Sequence, residues 1–400
     1  MAGVNRTNGG VDLLAPRSHN TALVLDLLRR AGAEGISRLE LAERTGLTPQ
    51  AVSKITARLR EEGLAREAGH RASTGGKRRT VLRLVPEAGH AVGVHLDRDA
   101  LRVVLVDLAG RVVGERGAAL DLGMGAESVV AVVAGEVEAL VAGQGEEGSE
   151  APVNAEAGDA GTGAARGADD GSLPAPEPPS AKPLPEVLGA GVALPGPLDH
   201  TRGVLHRVTG FPEWDGFPLR DALARRLGVP VVVDKDTNAA ALGLAVAGER
   251  GSFAYLHLGT GLGAGLVLDG AVHRGARTGA GEFGHQVVQV DGPPCGCGDR
   301  GCVEALCLAA VARGDLGEAA RVLGIAAGNL VALLDIDLVL LGGRTVAAAP
   351  EPFLRGVEAV LDERARRTGE PPVPVRPATD ELTEGAAQLV LAPLFGRADA

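Results

Sequence analysis

Aromatic side chains are nearly absent: 2% of 400 residues, with one Trp and one Tyr. Any core must therefore be built from Ala, Val and Leu, and 45% apolar residues supply ample material. Cysteine is scarce as well. All four lie between positions 295 and 307, and in a reducing compartment such a cluster is more often metal-binding than disulfide-forming. No stretch reaches about 18 apolar residues without a charge or a breaker, so no transmembrane helix is expected. The opening residues, MAGVNRTNGGVDLL, lack the basic-then-apolar pattern of a signal peptide. The expectation is a cytoplasmic protein with no membrane partner, long enough for two or three domains.

The net charge of −11 conceals an asymmetry. Residues 1–90 carry 15 Lys plus Arg against 9 Asp plus Glu, and the remainder is strongly acidic. A basic head on an acidic body suggests that only the head meets a polyanion, although short basic segments are also ordinary solvated surface.

Residues 1–18 read as a disordered arm, and residues 19–87 as three helices and a hairpin. The first helix shows its stripe in Leu23, Leu27, Leu28 and Ala31, at helical spacing. The second opens on Ser37-Arg-Leu-Glu40, a capping box, and ends at Gly46. The third opens on Thr48-Pro49 and runs through Val52, Ile55 and Leu59, with proline at the first helical position. Leu64–Arg66 starts a strand, a glycine turn carries Lys77, Arg78 and Arg79, and Thr80–Leu84 returns.

Residues 88–400 read as an α/β body. Residues 90–116 alternate like a β-meander, 125–142 read as a helix, and further strands fall at 187–194, 229–234, 253–258, 263–268 and 337–341. Residues 143–186, rich in Gly, Ala, Glu, Asp and Pro, cannot bury enough surface to offset their ordering entropy. They are expected to be a disordered insertion.

Four constellations carry chemistry. Two helices joined by Thr45-Gly46-Leu47 form a helix-turn-helix, whose second helix would enter a major groove. Its face offers Thr48, Gln50, Ser53, Lys54 and Arg58 to bases or phosphates, and Lys77 and Arg78 on the wing suit phosphates. The alternative is a three-helix bundle with no nucleic acid. His285 with Cys295, Cys297 and Cys302 makes a closed tetrahedral set, as in structural zinc sites; Cys307, in an apolar helix, is read as packing. Asp236, Asn238, Glu282, His285 and Glu304 could recognise a polyol, and an Asp could act as general base. Singly, each would more often be a cap or a surface charge. Gly259–Gly265 follows a strand and could cradle phosphate or simply be a tight hairpin.

On these residues the chain resembles the ROK family (repressors, open reading frames, kinases) from about residue 19 to about 393, excluding the insertion. The most specific motif is GEFGH…CGCGDRGCVE; LPGPLD, FPEWDGFPL, DKDTNAAALG, LGTGLGAGLVLDG and VLLGG look like its sensor body. The head and STGGKRR wing look like its repressor branch. The resemblance implies a two-lobed actin-like, ribonuclease-H-like body behind a winged helix-turn-helix. It implies a sugar site lined by Asp236, Glu282, His285 and Glu304, with His285 also on zinc, and a homodimer or dimer of dimers. In the kinase branch, the residue matching Asp236 removes a proton from the attacking sugar hydroxyl.

Two departures stand out. Kinases of the family open with an Asp-x-Gly-Gly-Thr phosphate loop, where this chain has His95-Leu-Asp97-Arg-Asp99-Ala. Phosphoryl transfer is expected to fail there, leaving Asp236 as a vestigial base. Lys235 stands where the family commonly has Asn. The expectation is a repressor of sugar metabolism genes that binds operator DNA and senses a sugar or sugar phosphate. The alternatives are an ATP-dependent sugar kinase and a ligand-independent dimeric DNA-binding regulator.

Overall fold

The computed structural model describes residues 17–71, 79–143, 186–206, 211–378 and 382–397. Residues 1–16 of the expected arm, the wing-tip residues Lys77 and Arg78, and residues 144–185 of the expected insertion lie outside the described residues. Ser18 caps the first helix, its Oγ accepting from the Thr21 N–H at 3.4 Å, and Arg17 pairs with Glu62 at 2.8 Å. Gly143 is still helical, and the Glu186 carbonyl accepts from the His90 N–H at 2.8 Å.

The head forms where its caps and stripes place it. Helix α1 (His19–Ala31) buries Val24, Leu25 and Leu28, each worth about 1.5–3 kcal/mol when removed from water. After strand β1 (Ile36–Ser37), α2 (Arg38–Thr45) begins with both bonds of the capping box: Glu40 N–H to Ser37 Oγ at 3.3 Å, and Ser37 N–H to Glu40 Oε2 at 2.8 Å. It ends on Gly46, whose φ of 71° is the left-handed conformation that glycine adopts without strain. Helix α3 (Pro49–Glu61) follows, capped by Thr48. Strands β2 (Ala65–Arg71) and β3 (Arg79–Leu84) complete a three-stranded sheet in the order β1-β3-β2.

The body has two lobes with one strand order. In the first, β4 (His90–Leu96), β5 (Ala100–Asp107) and β6 (Val112–Ala119) form an antiparallel meander. Helix α4 (Ala126–Gly143) follows. Strand β7 (Val187–Leu194) adds parallel to β4. The small hairpin β8 (Leu198–Asp199) and β9 (Val204–Leu205) and helix α5 (Leu219–Leu227) come next. Strand β10 (Val231–Lys235) closes the order β10-β7-β4-β5-β6. Helix α6 (Asp236–Ala247) then leads into the second lobe.

There β11 (Phe253–Leu258), β12 (Leu262–Leu268) and β13 (Ala271–Val272) form the second meander. Helices α7 (Val303–Ala312) and α8 (Leu316–Leu334) precede β14 (Leu338–Gly342), which pairs parallel with β11. Helices α9 (Arg344–Ala348) and α10 (Pro350–Thr368) and strand β15 (Val375–Pro377) close the order β13-β12-β11-β14-β15. In each sheet a three-strand meander is extended by two parallel strands from its first strand. This repeat is the actin-like arrangement expected.

The helices after Cys302 carry little pattern in the sequence, because several are apolar on nearly every side and so lack a clean period. All nine residues Leu382–Leu391 other than Glu384 are buried in α11 (Leu382–Leu391). Helix α8 is long and apolar enough to cross a membrane, but it buries Ala319, Ala320, Leu323, Ala326 and Ala327 within the second lobe.

Helix α11 joins the parts. A Cβ on Gly191 of β7 would sit 1.8 Å from the Ala386 carbonyl oxygen, and one on Gly385 would sit 2.2 Å from that of Ala239 in α6. Only glycine lets the helix lie this close to sheet and helix at once. Beyond α11, Leu394 and Phe395 join one apolar cluster with Leu25, Leu28 and Leu59 of the head and Val104, Val106 and Leu188 of the first lobe. The boundary expected near residue 87 thus separates sheets but not cores.

Candidate ligand cleft, metal cluster and nucleic-acid interface

Because the lobes repeat one topology, equivalent strand ends face each other. The β4–β5 turn (Asp97–Asp99) and the β11–β12 turn (Gly259–Gly261) meet across a cleft of about 110 Å³. Asp236, Glu282, His285 and Glu304 all line it. Asp236 is the first residue of α6, where its carboxylate accepts from the Thr237 N–H at 2.6 Å and suits the helix dipole. Glu304 occupies the first turn of α7 and accepts from the Leu262 N–H at 2.8 Å. Asn238 is not brought there. It is fully buried and donates to Asp234 Oδ1 at 2.8 Å.

Lys235 is the side chain whose weight in the cleft the sequence understated. It is only 3% exposed, and its Nζ donates to the Ala280 carbonyl and to Glu282 Oε1 at 3.1 Å. Beneath it, Asp234 is held by the Arg274 guanidinium at 2.6 Å. His95, Arg98, His257 and Thr260 also line the cleft. The only sequence signal for His95 and His257 was their equivalent place near the end of the first strand of each lobe.

The turn at the phosphate-loop position is self-satisfied. Asp97 N–H donates to the Ala100 carbonyl at 2.8 Å, and Arg98 N–H to Asp97 Oδ1 at 2.7 Å. Across the cleft, Thr260 Oγ1 donates to Asp97 Oδ1 at 3.4 Å, and Arg344 pairs with Asp99 at 3.3 Å. The glycine stretch 259–265 is a hairpin, with Leu258 registered against Leu262.

The metal cluster lies beside the cleft. His285 ends a short 3-10 turn, Cys302 caps α7, and Cys295 and Cys297 sit on the loop between. Their ligand atoms lie within 4.8 Å of one another, with Cys295 Sγ 3.7 Å from His285 Nδ1 and Cys297 Sγ 3.7 Å from Cys302 Sγ. In a tetrahedron with metal–sulfur bonds of about 2.3 Å, ligand atoms stand roughly 3.5–3.8 Å apart. The donor set therefore fits a four-coordinate ion. Burial, with the neighbouring Cys297 and Cys295, pushes the Cys302 thiol up to about 12; a cation would reverse this by favouring the thiolate. Cys307 is outside the set, its thiol donating to the Ala319 carbonyl at 3.5 Å.

On the head, Thr48, Gln50, Ser53, Lys54 and Arg58 are all exposed on or beside α3. Its opposite face, Val52, Thr56 and Leu59, is buried. Arg58 also pairs with Glu62 at 2.8 Å. The Glu62 carboxyl, although burial opposes its charge, is held below its ordinary range by Arg17 and Arg58.

Residues 180–313 match the ROK family model, and residues 20–66 match that of a winged helix-turn-helix DNA-binding domain. The xylose repressor of Caldicellulosiruptor bescii is 28% identical over 272 residues, which cover 67% of this chain and 59% of that protein. The glucokinase of Thermotoga maritima is 42% identical over 137 residues, covering 33% of this chain and 43% of that protein. The crystal structure of a ROK family transcriptional regulator, a homolog of the E. coli MLC protein, matches with a TM-score of 0.70. It covers 94% of this chain and 97% of its own at 20% identity, a likeness of fold alone. The two parts of the chain thus match two models, that of the ROK family in the body and that of a winged helix-turn-helix DNA-binding domain at the N-terminal end.

Proposed function

We propose that this protein is a cytoplasmic, homodimeric repressor of sugar metabolism genes that senses a sugar or sugar phosphate in its interlobe cleft. The observation that carries the reading is the exposed polar face of α3 on a head that shares one core with the sensor body. Thr48, Gln50, Ser53, Lys54 and Arg58, with Lys77 and Arg78 of the wing, would contact the operator. Asp236, Glu282, His285 and Glu304 would bond the hydroxyls of the effector. A zinc ion on His285, Cys295, Cys297 and Cys302 would be structural, since four protein ligands leave no open position for substrate. An effector that favours one lobe arrangement shifts the placement of the heads through differential affinity.

The cleft is read as catalytically silent. The backbone donors of Asp97 and Arg98 are already used within their own turn, and Asp97 and Asp99 would repel a nucleotide phosphate. The match to the glucokinase and the presence of Asp236 in the cleft favour a sugar kinase as the second reading. The pairing of Lys235 with Glu282, which occupies one expected sugar contact, favours a regulator with no small ligand.

The deciding experiment is binding of the purified protein to its own upstream DNA, at fixed salt, with a panel of sugars and sugar phosphates. Specific binding altered by one of them is the expected result. ATP turnover across the panel would replace this reading with the kinase. Lys54→Ala with Arg58→Ala is expected to weaken binding and to lower its salt slope by roughly two. Indifference to both changes would refute the α3 assignment.

A further inference from the structure

A cavity of about 640 Å³ lies between head and body, far from the interlobe cleft. Arg30 of α1, Arg250, Arg397 and the last turn of α6 line it, together with the carboxylate residues Glu249 and Asp269. The charges do not balance. Asp26, with a side chain only 8% exposed, is shared by three guanidinium groups: Arg29 at 3.0 Å, Arg30 at 2.7 Å and Arg397 at 3.8 Å. Glu249 is already committed to Arg376 at 2.6 Å. Arg250 is exposed and has no ion pair among the described residues. This arginine excess stands in a chain whose net charge is −11.

The surroundings support the same conclusion. The carbonyl end of α6 would repel an anion, but Arg397 Nη1 covers it by donating to the Ala245 oxygen at 2.8 Å. Burial, and the nearby Arg29 and Arg30, make the charged form of Arg397 harder to hold, despite Asp26. An anion beside these groups would relieve that cost. Guanidinium groups are matched in shape to phosphate oxygens.

We propose that this cavity is a binding site for a phosphate group, free or carried as a monoester on a small metabolite, held by Arg30, Arg250 and Arg397. The anion bridges α1 of the head to the far end of α6, whose first residue, Asp236, lies in the interlobe cleft. Its occupancy therefore ties head placement to the body from a second position, independent of any sugar in the cleft.

The test is thermal unfolding of the full chain without DNA, titrated with sodium phosphate and with glucose 6-phosphate, against chloride at matched ionic strength. The expected result is a saturable rise in melting temperature with one or both phosphate probes. Arg250→Glu is expected to move half-saturation about tenfold or more to higher concentration, the loss of one charge-assisted contact. Arg344→Ala, which lines neither this cavity nor the interlobe cleft, is expected to leave it unchanged. Equal responses to both probes assign free phosphate as sufficient; a stronger response to glucose 6-phosphate that weakens in Arg250→Glu assigns an ester, whereas one that Arg250→Glu leaves untouched belongs to the interlobe cleft. A rise that only follows ionic strength, or a phosphate response indifferent to Arg250→Glu or lost with Arg344→Ala, overturns the proposal.

Discussion

Between β9 and β10 the first lobe packs Trp214, fully buried, against Phe217 with ring centroids 5.6 Å apart. Its indole N–H donates to the Leu122 carbonyl at 3.0 Å. The second lobe departs from its sheet between β13 and α7, and there Val287 is 52% and Val290 83% exposed. The two excursions from the repeated topology are thus built differently. One lobe anchors its excursion with the single tryptophan of the chain. The other has little apolar surface to bury in that loop and gathers one histidine and three cysteines instead. A segment too poor in apolar side chains to hold its own shape can be held by a metal ion, as small domains are.

Removing the metal ligands should break this comparison most. Cys302→Ala is expected to abolish stoichiometric zinc and to melt the 286–301 loop, read by metal analysis and by protease sensitivity of that loop. Structural zinc sites contribute on the order of 10 kcal/mol to folding, so a large fall in melting temperature accompanies the loss. Cys307→Ala is expected to keep the metal. Retained zinc in Cys302→Ala would remove Cys302 from the ligand set.

Trp214→Ala is the matching cut in the first lobe. The fully buried side chain predicts a loss of roughly 3–5 kcal/mol in denaturant unfolding, with zinc content unchanged. A variant that loses its zinc as well would show that the lobes are not separately secured.

A smaller effect is expected in the head. The Glu62 carboxyl is held below its ordinary value of 4.5 by Arg17 and Arg58, against the opposing effect of burial. A depressed carboxyl pKa contributes stability that is present above the unfolded value and lost as pH falls through the folded one. Arg17→Ala should therefore destabilise the protein by about 1–3 kcal/mol at neutral pH, and the deficit should shrink below pH 4.5 as Glu62 protonates. A deficit of constant size down to pH 3 would assign Arg17 to packing alone.

The smallest stability effect belongs to the contact between the lobes. Asp99 and Arg344 are 63% and 50% exposed, and exposed pairs contribute about 0–1 kcal/mol. Arg344→Ala should hardly move the melting temperature, yet raise protease sensitivity around the two turns.

Much of the head was legible because its signals are local. Ser37 and Glu40 lie within one turn, Thr48-Pro49 is a start signal in two residues, and Gly46 is a stop. The strands of the body were legible from alternation and from short apolar runs. The His/Cys cluster was legible because its three cysteines fall within eight positions. The helices after Cys302 were not, since Ala-rich helices buried all round carry no stripe. Asn238 could not be told from Asp236 two residues earlier, because only packing decides which side of α6 faces the cleft.

The sequence alone therefore determined what depends on neighbours in the chain: caps, turns, strand alternation and the grouping of three cysteines. Tertiary structure decided what depends on residues distant in sequence. It placed Lys235 on Glu282, 47 positions away, and Arg344 on Asp99, 245 positions away. It also brought Arg397, from the far end of the chain, to Asp26, which already pairs with Arg29 and Arg30 of its own helix. Such meetings leave no periodicity or spacing to read, because they arise only when two lobes and a head close on one another.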